Sequence, residues 1–468
     1  MSENLARSSH GHLSAEEVRQ TLSFLMPDLA VFWERPLTDY AYAVYRGFVK
    51  GRCSTREDAM YRLQQFIARN VLTMGASEED ARQASQQIAG APVLQTGPHC
   101  HLLVEPDAFY THLFSVLGLT AHSLRWNICY SCSTVKFTEK SKKGPGWLKL
   151  GDDVVNVFGL SRSRMDPSSI CGFNGSVRFE LSIPKSDKSI TPKVARLKGM
   201  LPDTSFSSAA EAIKAANQIL WQRFSCPAQR LLQFDDIDVA DLVADHFEDP
   251  ASWLSSHFTG CGLFPQSILH AMDKLNSGPW AGWIRQTTDF FWGLQDGRIF
   301  PLRLDEGSLK GGPSLNFDAR FDPENIAACL RQRKLVPNLL MTFLVISILP
   351  GVRVLGGCRQ AVYYPLMRHL VAGALEASGD FELLQAMRAD QLPGMWGHRV
   401  LRPKDSQPFL ELENNGSLAN AAANYGDAFL MQCAGDLSSF TSDPIWAHMS
   451  AHIKNGTIHR GTAEWQWA

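Results

Sequence analysis

The sequence predicts an α/β fold: a core interrupted by a mainly helical insertion and preceded by a helical N-terminal region. Three observations carry this. A strand, loop, helix and second strand follow one another within residues 91–130. A further strand, ending in paired glycines and followed by a helix, occupies residues 351–375. Between these blocks, residues 205–302 keep mainly helical spacing. Parallel strands so close in sequence demand a crossover helix, which makes the first block a strand–helix–strand unit.

Residues 1–90 read as helical. Ser14 and Glu17 have the spacing of a capping box ahead of Val18, Leu22 and Leu25, and Ser77 to Asp80 opens another helix ending near Gly90. Between them, Met60, Leu63, Phe66 and Ile67 keep a helical period. Residues 91–204 form the first half of the core. Ala91 to Thr96 is a short strand and Gly97 to His101 a loop. Pro106 sits where a helix begins, with Phe109, Leu113 and Val116 at helical spacing, and Leu124 to Tyr130 is the next strand.

Within the 205–302 insertion, Ala209 to Phe224 is the clearest helix. Asp235 to Asp249 is an acidic helix whose carboxylates read as an exposed face outside any pocket. Residues 303–402 supply the second half of the core: a loop-rich passage from Arg303 to Pro323, the apolar stretch Asn338 to Leu349, and the strand Gly351 to Leu355. That strand ends in Gly356 and Gly357, and a helix runs from Gln360 to Leu375. Residues 403–468 are a C-terminal extension, polar at first and helical around Ala419 to Cys433.

The 468 residues carry 45 basic and 47 acidic side chains, a net charge of −2. That balance argues against sequence-independent nucleic-acid binding, which needs a basic face, but leaves room for a local basic pocket. Ten cysteines are scattered along the chain, the pattern of reduced thiols in a cytosolic protein. The N-terminus shows no apolar signal core, and the uninterrupted apolar stretch Leu339 to Leu349 is shorter than the ~20 residues of a membrane span. The expectation is a cytoplasmic protein with small-molecule ligands, no nucleic-acid or membrane partner, and a homodimer as one allowed state.

In an open parallel sheet, ligands sit beyond the carboxyl ends of the strands. The loops Thr96 to Pro106 and Leu355 to Gln360 occupy such places. Their glycines let the backbone approach a phosphate, although Gly356-Gly357 is equally a tight turn. His99, His101 and His112 cluster on the first loop and the helix after it. Imidazoles there can donate to the charge that develops in nucleotidyl transfer, or simply make structural hydrogen bonds. His99, His101, Cys129 and Cys132 end neighbouring strands and offer zinc ligands. Cys129 and Cys132 point to opposite faces if the strand continues, so core cysteines are the default and zinc is disfavoured. Lys136, Lys140, Lys142, Lys143 and Lys149 flank a glycine-rich segment, either a basic flap over phosphates or a solvated loop.

Two blocks resemble a known family. Val93 to Pro106 and the helix after it are similar to the first strand–loop–helix of BshC, the cysteine-adding family of bacillithiol synthesis, which reads T-G-[HQ]-Q-x-G-L-x-x-G-P-x-x-x-x-x-K. Thr96, Gly97, Leu102 and Pro106 match it. Leu335 to Pro337 and Val354 to Tyr364 are similar to that family's L-L-P and Y-V-G-G-P-G-E-x-x-Y, with Gly356, Gly357 and Tyr363 matching.

The resemblance implies a Rossmann-like nucleotidyltransferase core of the class I synthetase kind. It implies a ligase joining cysteine or another amino acid to a small-molecule acceptor in thiol or specialised-metabolite biosynthesis. ATP or another nucleotide would be the cofactor, with magnesium compatible. His99, His101, His112 and Lys136 are then the catalytic candidates. Thr96, Gly97, Gly356, Gly357, Gln360 and Tyr363 are the nucleotide-binding candidates, and Lys140 and Arg359 the substrate-binding ones. No residue is assigned to a metal.

The departures from the family are specific. Pro98 and His99 fill the two positions after T-G, His101 replaces the glycine, His112 the lysine and Gln360 the glutamate. Cys132 to Phe137 stands where the family is acidic, which selects a more anionic ligand. These changes keep two alternatives open. One is a catalytically inactive nucleotide- or metabolite-binding partner of the same fold. The other is a zinc-dependent enzyme using His99, His101, Cys129 and Cys132.

Overall fold

The structure, a computed structural model, describes all residues except 1–12, 49, 135–145, 162–173, 185–189, 226–228, 259–261, 314, 392–393, 397–400, 402–405 and 468. The N-terminal helices form at Ala15–Leu25 (α1), Leu37–Tyr45 (α2), Ser54–Thr73 (α3) and Glu78–Gly90 (α4). The predicted capping box at Ser14 closes and a second forms at the predicted helix start Ser77: the two serines accept from the N–H groups of Glu17 and Asp80, and each acid reaches back. Met60, Leu63, Phe66 and Ile67 are buried on one face of α3.

The core follows. In chain order it comprises Val93–Gln95 (β1), Pro106–Ala121 (α5), Trp126–Tyr130 (β2), Ala209–Phe224 (α6), Arg230–Phe234 (β3) and Asp236–Glu248 (α7). After Pro323–Arg331 (α8) come Arg353–Gly356 (β4), Gln360–Ser378 (α9) and Gly394–Trp396 (β5). Strands β4, β1, β2 and β3 form a parallel sheet in that order, and β5 adds in parallel at the β4 edge. The chain therefore builds outward from β1 through β2 to β3 on one side, then from β4 to β5 on the other.

Three expectations are corrected. Residues 205–302 are not an insertion outside the core, because α6 crosses over to deliver β3 as a full strand beside β2. A doubly covered parallel strand is an apolar run without alternation, and Leu231-Leu-Gln-Phe234 reads no differently from a helical fragment. The Arg303–Pro323 passage is not only loop. It holds an antiparallel meander of Arg303–Asp305, Ser308–Lys310 and Asp318–Arg320. Nor does the 302/303 boundary separate units, since Leu335–Pro337 pairs with Phe291–Gln295 across it.

The apolar stretch around Leu339–Leu349 is a buried helix that widens into a π-turn at Leu344–Ile348. Ser347 Oγ lies 2.5 Å from the Tyr364 hydroxyl there, and Phe343 meets the rings of Tyr130, Tyr363 and Tyr364. Among the described residues no helix is long and apolar enough to cross a membrane. The seven described cysteines are free thiols.

One buried carboxylate ties the N-terminal helices to the core. Asp390 accepts from Arg56 at 2.5 and 2.7 Å, from Arg368 on α9 at 3.2 Å, and from the Gly51 N–H at 3.2 Å. Both guanidinium side chains are only 3% exposed, and that of Asp390 1%.

Candidate functional site

The carboxyl ends of β1 and β4 lie side by side, and the connections that leave them run in opposite directions along the sheet. This is the switch point at which open α/β sheets leave a cleft for ligands. Thr96 follows β1, and Gly356 ends β4. Thr96 Oγ1 lies 3.0 Å from the Leu355 carbonyl and 2.8 Å from Gln360 Oε1, so the two predicted loops meet. Tyr363 donates its hydroxyl to the same Oε1 at 3.0 Å. Burial raises the Tyr363 phenol, keeping it protonated as a donor. Thr96, Gly356, Gln360 and Tyr363 are thus brought together, with Gly97 and Gly357 beside them in the chain.

The first loop differs from the expected phosphate cradle. Gln95, buried and anchored on Ser115, accepts with its Oε1 from the N–H groups of Thr96 and Gly97, each at 3.1 Å. The Cys100 N–H reaches the Cys132 carbonyl, and the Leu103 N–H reaches Asn217 Oδ1. The start of α5 is closed as well: Pro106 has no N–H, and Glu105 accepts from Asp107 and Ala108. The Gly97 N–H is therefore turned to Gln95 rather than to a ligand.

The predicted histidines separate. His99 and His101 remain on the loop after β1, with ring centroids 6.2 Å apart, His101 Nδ1 3.5 Å from Glu105 and the His101 side chain 11% exposed. His112 does not join them. It is 1% exposed, accepts from Asn127 on β2 at 3.0 Å, and meets Trp221 edge to face. Burial pushes its imidazole down to about 4, so it is a neutral core group and not a catalytic one. The turn from Gly97 to Pro106 carries α5 away from the loop and faces His112 into the sheet.

Arg359 is corrected too. Its guanidinium grips Asp443 with two bonds of 2.7 and 2.9 Å, and that carboxylate raises it further. An arginine held this way is a brace between α9 and the C-terminal helices, not an open substrate donor. Lys136 and Lys140 lie outside the described residues.

Beyond β2, the start of the acidic helix is buried against the loop that leaves that strand. Asp236, 1% exposed at the start of α7, accepts from the Ser133 and Thr134 N–H groups at 2.8 Å each, and from Tyr130 and Cys132. Burial raises Asp236, and burial together with Asp236 raises the Cys132 thiol. Asp235, equally buried, pairs with Lys214 at 3.2 Å. The exposed-face expectation holds only for the later turns, where Asp241, Asp245 and Glu248 meet Arg331.

Asn217 and Gln233 complete the support. Asn217 Nδ2 donates to the His101 carbonyl and to Gln233, which in turn donates to Ser131. This chain of amides fixes the loops after β1 and β2 against each other. Sequence reading missed it because lone Asn and Gln residues in helices and strands carry no local signal. Asp236 could have been found once β3 was recognised, as a carboxylate just past the end of a parallel strand.

The four residues of the zinc alternative are not gathered into one group. Cys129 Sγ turns to Ser131 and Cys132 Sγ to Asp236, and burial pushes the Cys129 thiol up to about 12. Among the described residues no group of three or more histidine, cysteine or acidic side chains is placed to hold a metal. No protein-family model matches the chain, and no curated protein matches it.

Proposed function

We propose that this chain is a BshC-like ligase that joins an amino acid to a small-molecule acceptor through nucleotide activation, working from the cleft between β1 and β4. The observation that carries this reading is the meeting of Thr96, Gln360 and Tyr363 across that switch point. Numbered by chain position, the sheet order is 3-2-1-4-5 read from the β3 edge, as in the first five strands of a doubly wound nucleotide-binding fold, which supports a Rossmann-like core.

In this reading the cleft holds ATP or a related nucleotide, and His99 and His101 stand over the reacting acyl group. Their N–H donors would stabilise the negative charge that develops when the acceptor amine attacks. Gly356 and Gly357 let the second loop come close to the same ligand. Free cysteines and the absence of a long apolar helix among the described residues fit a cytoplasmic setting.

The test is a panel of amino acids with ATP, magnesium and candidate amine acceptors, following AMP or ADP release and product mass. Turnover is expected with at least one amino acid, and His99→Ala and His101→Ala are each expected to lower it more than tenfold. No nucleotide release across the panel would contradict the ligase reading. A second reading, an inactive metabolite-binding protein, is favoured by the burial of His112 at the family's lysine position. It predicts ligand binding without turnover in the same panel.

A further inference from the structure

Helices α5, α7 and α9 begin at the carboxyl edge of the sheet, and the starts of α5 and α7 are filled from within the chain. Glu105 closes the start of α5, and Asp235 accepts from the Asp238 N–H at the start of α7. Helix α9 is 19 residues long and has no side-chain cap, since Arg359 at its N-cap position carries no acceptor and pairs with Asp443. Its Gln360, Val362 and Tyr363 N–H groups already reach the Gly357 and Arg359 carbonyls, so the start offers the positive end of the helix dipole and not a row of unpaired donors.

A second observation points to the same place. Gln360, the first residue of α9, is 4% exposed, and its Nε2 has no hydrogen-bond partner among the described residues. Its Oε1 is held by Thr96 and Tyr363, which fixes the amide. A Cβ on Gly356 would lie 1.8 Å from the Gln360 Cδ and 2.3 Å from Nε2, so the amide rests flat against the end of β4. Only glycine permits this. A buried amide donor without a partner costs stability, and a ligand that accepts from it removes that cost.

We propose that the start of α9, with Gln360 Nε2 as its side-chain donor, binds the oxyanion of the ligand, either a phosphate of the nucleotide or the carboxylate of the amino acid. This rests on the cleft proposed above, though not on turnover. A neutral amide beside a helix dipole favours an anion without forming a fixed ion pair, so the bound group can leave after reaction. Tyr363 and Thr96 are positioning residues, since they hold the amide rather than the ligand.

The test is calorimetric titration of the full chain with inorganic phosphate, pyrophosphate and ATP in one arm, and with L-cysteine against its methyl ester in the other. Gln360→Glu keeps both accepted hydrogen bonds and replaces the donor by an oxygen. The expected result is binding at least tenfold weaker in one arm, with the other little changed, which identifies the source of the oxyanion. Gln360→Met, which keeps volume without donor or charge, is the second variant should Gln360→Glu not fold, and the same loss is expected.

Affinities within twofold of wild type in both arms, or tighter in Gln360→Glu, would overturn the proposal. So would failure of the wild-type chain to bind any of these oxyanions at millimolar concentration. Binding that depends on Gln360 in a protein without ligase turnover would remove the ligase reading and leave this one standing.

Discussion

Replacing Asp390 by alanine is expected to destabilise the fold by about 3–5 kcal/mol, the cost of breaking a buried ion pair from one side. Arg56 and Arg368 both point at this carboxylate, and neither has solvent to fall back on. Removing it leaves two buried guanidinium charges without their carboxylate. Arg368 lies on α9, so the loss also loosens the helix whose first residue faces the cleft. Equilibrium urea unfolding of the purified variant measures the effect. A midpoint shift equivalent to less than about 1 kcal/mol, the value of an exposed pair, would show that the three side chains are not held together as described.

Acid is expected to destabilise the native state from about pH 6.5 downward, well before most carboxylates are protonated. Two histidines cause this. His112 is pushed down to about 4 by burial, and His246 to about 3 by burial and by Arg62, against which Asp58 and Asp249 act only weakly. His246 is 1% exposed, and neither ring nitrogen finds a partner among the described residues. With a lowered folded-state value, the unfolded chain takes up a proton first. Stability is therefore full above about pH 6.5 and falls as the pH drops toward 4 and then 3, by a ceiling of about 3–5 kcal/mol per histidine.

Asp238 titrates in the opposite sense, being raised to about 7 by burial and by Asp235. A variant comparison removes that opposing contribution, because Asp238 is common to both proteins. His246→Leu should gain stability relative to wild type progressively from pH 6.5 to pH 4.5. A constant stability difference across that range would contradict a neutral buried His246.

The strand–helix–strand unit from β1 to β2 was legible because its parts follow one another closely and each carries its own local signal. Pro106 marks the helix start, and Gly97 and Pro98 mark the turn. Capping boxes at Ser14 and Ser77 were legible for the same reason, since the hydrogen bonds they describe are local. Strand β3 was hidden because its apolar run lacks a period and its partner β2 lies about a hundred residues earlier.

The site followed the same division. Thr96, Gly356, Gln360 and Tyr363 could be named from the loops that carry them, and the structure joins them. What could not be read was which groups were already occupied. Gln95 takes the Gly97 N–H, Glu105 fills the start of α5, and Asp443 takes Arg359. Each competitor is an ordinary polar residue whose role depends on where the chain brings it. His112 illustrates the opposite error, a chemically attractive residue that a helix turns inward onto Asn127 and Trp221.

The central claim is that the cleft between β1 and β4 is the ligand site. Hydrogen exchange of the full chain, with and without saturating ATP and amino acid, tests it most directly. Slower exchange is expected in two peptides far apart in sequence, one covering Leu94 to Val104 and the other Val354 to Tyr364. Protection confined to other parts of the chain, with both of these peptides unchanged, would contradict the account.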